Sequence, residues 1–202
     1  MGIEAWLGTK EVPFRTSYVK LDKPYPVKGS VPPKETYSCV ALLPKGFDLE
    51  PMKKAGLAAL EAKFPGKAEA VVRHPKFKTP FKDQSELINT DGEQNPGTEA
   101  GAIFINMSSQ LPPLVVGMNG KPIQDPRDFY SGCYAIAKVD IYAWDHPTGG
   151  RGVTVGLLGI QKVADGDPLG GSAARAEVSD FEPISTAKDA AGIFGDDDEI
   201  PF

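Results

Sequence analysis

Cysteine, histidine and long apolar runs are all scarce in this chain of 202 residues, and each shortage removes a class of function. Two cysteines, Cys39 and Cys133, lie inside apolar runs. That placement reads as buried free thiols, with no disulfide expected in a reducing compartment. Two histidines, His74 and His146, cannot supply the ligand spacing of a zinc site, so no metal or other cofactor is expected. The longest stretch without a charge, Ala100 to Gly120, carries Asn106, Ser108, Ser109, Gln110, Pro112, Pro113 and Asn119. So many polar and helix-breaking groups exclude a membrane helix. No basic segment followed by a long apolar core is seen near Met1, so no secretory signal is read and a cytoplasmic location is expected.

Catalytic signatures are equally sparse. Thr148-Gly149-Gly150-Arg151-Gly152 is glycine-rich but lacks the Gly-Lys-Ser/Thr ending of a phosphate loop. It reads as a hairpin turn with Arg151 available to a phosphate. No Gly-x-Ser-x-Gly elbow is found, and Asp165-Gly166-Asp167 lacks the remaining ligands of a calcium loop. The chain is therefore not expected to be an enzyme.

What the chain has in excess is glycine, proline and a localised negative charge. Its 22 glycines and 19 prolines suit many turns between short strands. The formal net charge is -5, yet residues 176–202 hold eight acids against Lys188 alone. That segment carries -7 and leaves the first 175 residues at +2. A mildly basic body with an acidic tail can meet phosphates, whereas a uniformly acidic protein is repelled by them.

Residues 131–144 give the clearest strand, because Cys133, Ala135, Ala137, Val139, Ile141 and Ala143 alternate with Tyr134, Ile136, Lys138, Asp140, Tyr142 and Trp144. The run 153–163 is expected to pair back on it as a hairpin, and residues 14–21, 37–43 and 102–107 are further strands. One helix is expected, capped by Asp48, with an apolar stripe of Leu49, Met52, Leu57, Leu60 and Phe64, and stopped at Pro65-Gly66. Strands, one helix and long loops predict a mainly β fold, a small antiparallel Greek-key barrel of the OB type plugged by the helix; an open α+β sheet or a sandwich remain alternatives. Residues 1–172 form the expected barrel domain, and 173–202 an acidic tail too poor in apolar residues to order itself.

Two groups of residues suit single-stranded nucleic acid, which needs rings for its bases and cations for its phosphates. One is Tyr134, Lys138, Tyr142 and Trp144 on one strand face; the other is the acid-free segment with Arg73, Lys76, Phe77, Lys78, Phe81 and Lys82. The bland readings are rings packed under the helix or a loop, and a solvated loop whose two phenylalanines dip into the core. A further basic stretch, residues 14–37, with Arg15, Lys20, Lys23, Lys28 and Lys34, can line a second wall. At the far end Asp196, Asp197, Asp198, Glu199, Ile200, Pro201 and Phe202 combine charge with an apolar hook, which a solubilising tail does not need.

That terminus resembles the acidic tip of bacterial single-stranded DNA-binding proteins, which recruits replication and repair enzymes. The body instead resembles a family of phage and prophage single-stranded DNA-binding proteins, long catalogued as a domain of unknown function. The similarity rests on Tyr130-Ser-Gly-Cys-Tyr134, Gly156-Leu157 and the run from Gln161 to Gly170. It implies an OB barrel that binds single-stranded DNA without regard to sequence in phage replication and recombination, and a tip that engages replication or recombination proteins. A DNA-processing nuclease and a virion or assembly protein with a solubilising tail stand as rivals, and self-association is left open.

Overall fold

Period-two burial organises the molecule. In the computed structural model, which describes residues 2–27, 29–30, 32–89 and 91–170, Cys133, Ala135, Ala137, Val139 and Ile141 are all buried. Small side chains at these inward positions let strands close into a tight ring, as a narrow barrel interior requires. The strands are β1 (Ile3–Leu7), β2 (Phe14–Pro26), β3 (Glu35–Leu42), β4 (Phe77–Lys78), β5 (Lys82–Asp83), β6 (Ile103–Ser109), β7 (Leu114–Val116), β8 (Tyr134–His146) and β9 (Gly150–Ala164). The helices are α1 (Glu50–Lys63) and α2 (Ala68–Val72).

Five strands close on themselves. β8 pairs with β2, β2 with β3, β3 with β6, β6 with β9, and β9 returns to β8. Only the β6–β9 join in this cycle is parallel, and it is short, with Met107 opposite Val155 and Ser108 opposite Gly156. This is the expected mainly antiparallel Greek-key barrel of the OB type. β1 extends the sheet beyond β8, β7 and β4 lie parallel to β9, and β5 lies beside β6.

Phe14, Leu7, Ile105, Met107, Ile141, Val155 and Leu157 form the centre of the core. Truncating one of the larger of these to alanine should cost about 2–5 kcal/mol. Cys39 and Cys133 are free and buried, and burial pushes both thiols upward. Buried Gln84 ties the loop before β6 to the barrel by donating to the Leu43 and Ile103 carbonyls, each at 2.9 Å.

The structure alters several expectations at the level of elements. Leu57 is 51% exposed; α1 instead buries Met52, Ala55, Gly56, Ala59 and Leu60, a small-residue face that lets the helix sit close on the barrel. Leu49 occupies the cap position of α1, although Asp48 Oδ1 still accepts the Glu50 N–H at 2.9 Å. A second helix, α2, immediately precedes the basic segment, which then contributes β4 and β5. β2 continues five residues past Leu21, through an irregular register around Tyr18, whose φ of 47° is left-handed. A bulky residue adopts that conformation at a bulge, where the chain is re-aimed. The acidic tail and its tip, within 171–202, lie outside the described residues.

Candidate nucleic-acid interface

A latch and an open groove occupy different parts of the barrel. The latch is built on Lys162, whose side chain is 9% exposed. Its Nζ donates to the Asp128 carbonyl at 2.9 Å, pairs with Asp165 Oδ1 at 2.6 Å and lies 4.9 Å from the centre of the Tyr130 ring. The Tyr130 hydroxyl donates to the same Asp165 oxygen at 2.7 Å. Hydrogen bonds from Lys162 and Tyr130 hold the Asp165 carboxyl below its ordinary range. Arg15 adds two donors, Nε to the Gly132 carbonyl at 3.3 Å and Nη2 to the Asp167 carbonyl at 2.8 Å. Gly132 has a φ of 118°, and a Cβ there would run into the Asp167 carbonyl, so the close crossing of the two segments requires glycine.

The groove, of about 830 Å³, runs between the β2–β3 hairpin and the strands β6, β8 and β9. Lys20, Tyr25 and Lys34 stand on the hairpin side. Tyr142 and Asp140 stand on the sheet side beside Gly156, and Asn106, Ser108 and Gln110 add polar groups. Lys20 and Lys23 approach the Tyr25 ring at 5.3 and 5.5 Å. Tyr142 is 40% exposed, and burial followed by the Asp140 charge raises its phenol. Of the basic stretch 14–37, Lys20 and Lys34 line this groove, whereas Arg15 belongs to the latch. Tyr25 and the polar residues of β6 were not singled out by the sequence. Tyr25 carried a readable signal, an aromatic between Lys23 and Lys34 in a basic run, whereas Asn106 and Ser108 carried none.

The predicted rings and cations do not gather in one place. β8 is 13 residues long, so Tyr134 lies at its start, near Arg15 at 6.0 Å, and Tyr142 further along in the groove. Trp144 lies near the hairpin tip against the bare backbone of Gly152. The parallel β4–β9 pairing brings Phe77 opposite Arg151 and Lys78 opposite Gly152, so Lys76, Phe77, Lys78, Trp144 and Arg151 form one cluster at that tip. Lys78 Nζ is 5.8 Å from the Trp144 ring. Phe77 and Phe81 are partly buried against the core.

Several cations are already engaged. Arg151, expected to be free, pairs with Asp145 at 3.2 Å and covers the Phe64 ring at 5.3 Å. Lys138 pairs with Glu4 at 2.6 Å, exposed Arg73 with Glu69 at 3.1 Å, and Lys82 lies 6.0 Å from the Phe104 ring. Among the described residues no three His, Cys, Asp or Glu side chains converge to hold a metal ion, and no helix is long and apolar enough to cross a membrane.

Comparison with known proteins places this architecture. The fold is similar to that of the single-stranded DNA-binding protein from bacteriophage Enc34 in complex with ssDNA, with a TM-score of 0.64 and 21% identity over 83% of this chain and 89% of that one. It is also similar to gp2.5, a single-stranded DNA-binding protein encoded by bacteriophage T7, with a TM-score of 0.54 and 16% identity over 91% of this chain and all of that one. A curated relative, protein p50 of Acyrthosiphon pisum secondary endosymbiont phage 1, is 38% identical over 92 residues. That match spans 45% of this chain and about half, 48%, of the relative. Residues 7–191 match the family described as Enterobacter phage Enc34, ssDNA-binding protein, and the chain belongs to that family.

Proposed function

We propose that this protein binds single-stranded DNA without sequence preference during phage DNA replication and recombination, and that it does so non-enzymatically. The observation that carries the reading is the groove of Lys20, Tyr25, Lys34 and Tyr142. It offers rings for bases and cations for phosphates in one open channel, and membership of the Enc34 family supports it. The groove is also polarised. Asp140 repels phosphate from the sheet side, while Lys20 and Lys34 attract it to the hairpin side, so the backbone follows β2–β3 and the bases turn toward Tyr142 and Gly156.

The cluster at the β8–β9 tip is an outlying contact for the same strand, through Lys76 and Lys78. The terminal Asp196–Phe202 recruits replication or recombination proteins, its aspartates steering and Phe202 anchoring. This function is exercised in the host cytoplasm. A gel-shift series comparing single and double strands across salt concentrations tests the reading. Preferential single-strand binding that weakens with salt supports it, and absence of binding at low salt overturns it. Removing the last seven residues should abolish partner capture and leave DNA affinity equal or higher.

A further inference from the structure

Four strands place one residue each in a single row across the outer face of the sheet. Trp6 on β1 is opposite Lys138 on β8, Lys138 is opposite Gly159 on β9, and Gly159 is opposite Leu114 on β7. Paired positions share a face, so the side chains of Trp6, Lys138 and Leu114 stand around a floor of bare backbone at Gly159. The result is a notch of about 200 Å³. Its walls are unusually apolar for open surface: Trp6 is 59% exposed, Leu114 57% and Leu158 42%. Exposed apolar patches of this kind mark interaction sites.

The notch continues the groove. Leu158 falls at the register shift between the Lys138 and Val139 pairings and lines both cavities. On either side of it β9 presents a glycine: Gly156 in the groove, where Tyr142 approaches, and Gly159 in the notch. A glycine floor beside an aromatic wall admits a flat ring close to the backbone. Lys138, held by Glu4 at 2.6 Å, offers the notch little charge for a phosphate.

We propose that the Trp6 notch is a second base-stacking subsite, reached by the same DNA strand after it passes Leu158. The inference rests on the groove being the single-strand site. One base stacked on Trp6 contributes by ring contact and leaves the salt dependence unchanged.

The test uses the full-length chain and a length series of oligo-dT. The variants are Trp6→Ala, Trp6→Phe and Gly159→Leu, the last filling the floor, where a Cβ would sit 3.3 Å from the Leu114 carbonyl oxygen. Trp6→Ala and Gly159→Leu should weaken binding to long oligonucleotides by about 5- to 150-fold, the effect of losing one stacked base. Oligonucleotides short enough to fill only the groove should bind as they do to the unaltered protein, and Trp6→Phe should retain most of the affinity. With Trp144→Phe as background, Trp6 is the one remaining tryptophan of the chain's two, and its emission should be quenched only by the longer strands. Equal affinity of Trp6→Ala at every length, with the unaltered protein still binding, overturns the subsite alone. No binding by the unaltered protein overturns the groove reading itself. A change in sedimenting mass on Trp6→Ala, with DNA affinity unchanged, shows that the notch joins two copies of the chain and likewise overturns the proposal.

Discussion

The latch around Gly132 and the groove around Tyr142 differ in how they use the same kinds of residue. In the latch, Lys162, Tyr130 and Arg15 are spent on protein carbonyls and the Asp165 carboxylate. In the groove, Lys20, Lys34 and Tyr142 face an open channel. Of the residues that carry the family resemblance, Gly156-Leu157 lines the groove, and Tyr130–Tyr134 and Gln161–Gly170 belong to the latch. They are recognisable because close backbone crossing restricts them to one solution, whereas stacking tolerates any ring and phosphate attraction tolerates any cation. Most of the likeness of sequence therefore reports how the barrel is held, while the rings and cations of the proposed binding groove are chemically generic.

Substitutions should separate the two regions cleanly. The largest effect is expected from Gly132→Ala, which meets both the Asp167 carbonyl and a left-handed φ. Thermal or denaturant melts should show a loss on the order of 3–5 kcal/mol, with DNA affinity of the remaining folded protein little changed. Tyr142→Ala should do the reverse, weakening poly-dT binding by about 1–3 kcal/mol while leaving the melting temperature close to its original value. A loss of stability without loss of affinity would assign Tyr142 to the core. Replacing Lys20 or Lys34 by alanine should flatten the dependence of log affinity on log salt by about 0.7 for each phosphate contact removed, measured by fluorescence titration.

The smallest effect concerns pH. Because the Asp165 carboxyl titrates below its ordinary value, its contribution is present above the usual carboxylate range and is lost as pH falls through the lowered value. Asp165→Asn should therefore melt earlier than the unaltered protein near neutrality. The gap should close as the pH falls below the ordinary carboxylate range. A gap independent of pH would place the contribution of Asp165 in shape and not in charge.

Much of the fold was readable because it depends on local alternation. The inward alanines and branched residues of β8, the turn at 147–149 and the β8–β9 hairpin all follow from neighbouring residues. The parallel β6–β9 join was not readable, since it links segments separated by a long crossover and leaves no short-range pattern. The site was legible in kind but not in place. Tyr134, Tyr142 and Trp144 alternate perfectly along the chain, yet a strand of 13 residues carries them past three different surroundings. Arg151 looked free because its partner, Asp145, lies across a turn, and Leu57 looked buried because a leucine at that spacing outweighed the smaller Ala55, Gly56 and Ala59. Tyr25 stands in a readable basic run, but Pro24 and Pro26 on either side argue against a strand there; they sit in the irregular part of β2.

The short parallel join between β6 and β9 has a consequence for how occupancy and folding depend on each other. Two residue pairs close the ring there, and Met107, Ser108 and Gly156 from those pairs also line the groove. The proposed seat of the DNA therefore lies over one of the two shortest joins of the ring, the other being β2–β8, also of two residue pairs. On the proposed reading, a strand laid along the groove clamps this join, so DNA should suppress local opening and slow amide exchange at Met107 and Val155 more than elsewhere in the sheet. On that reading the bound DNA would serve as a temporary sixth stave of the barrel.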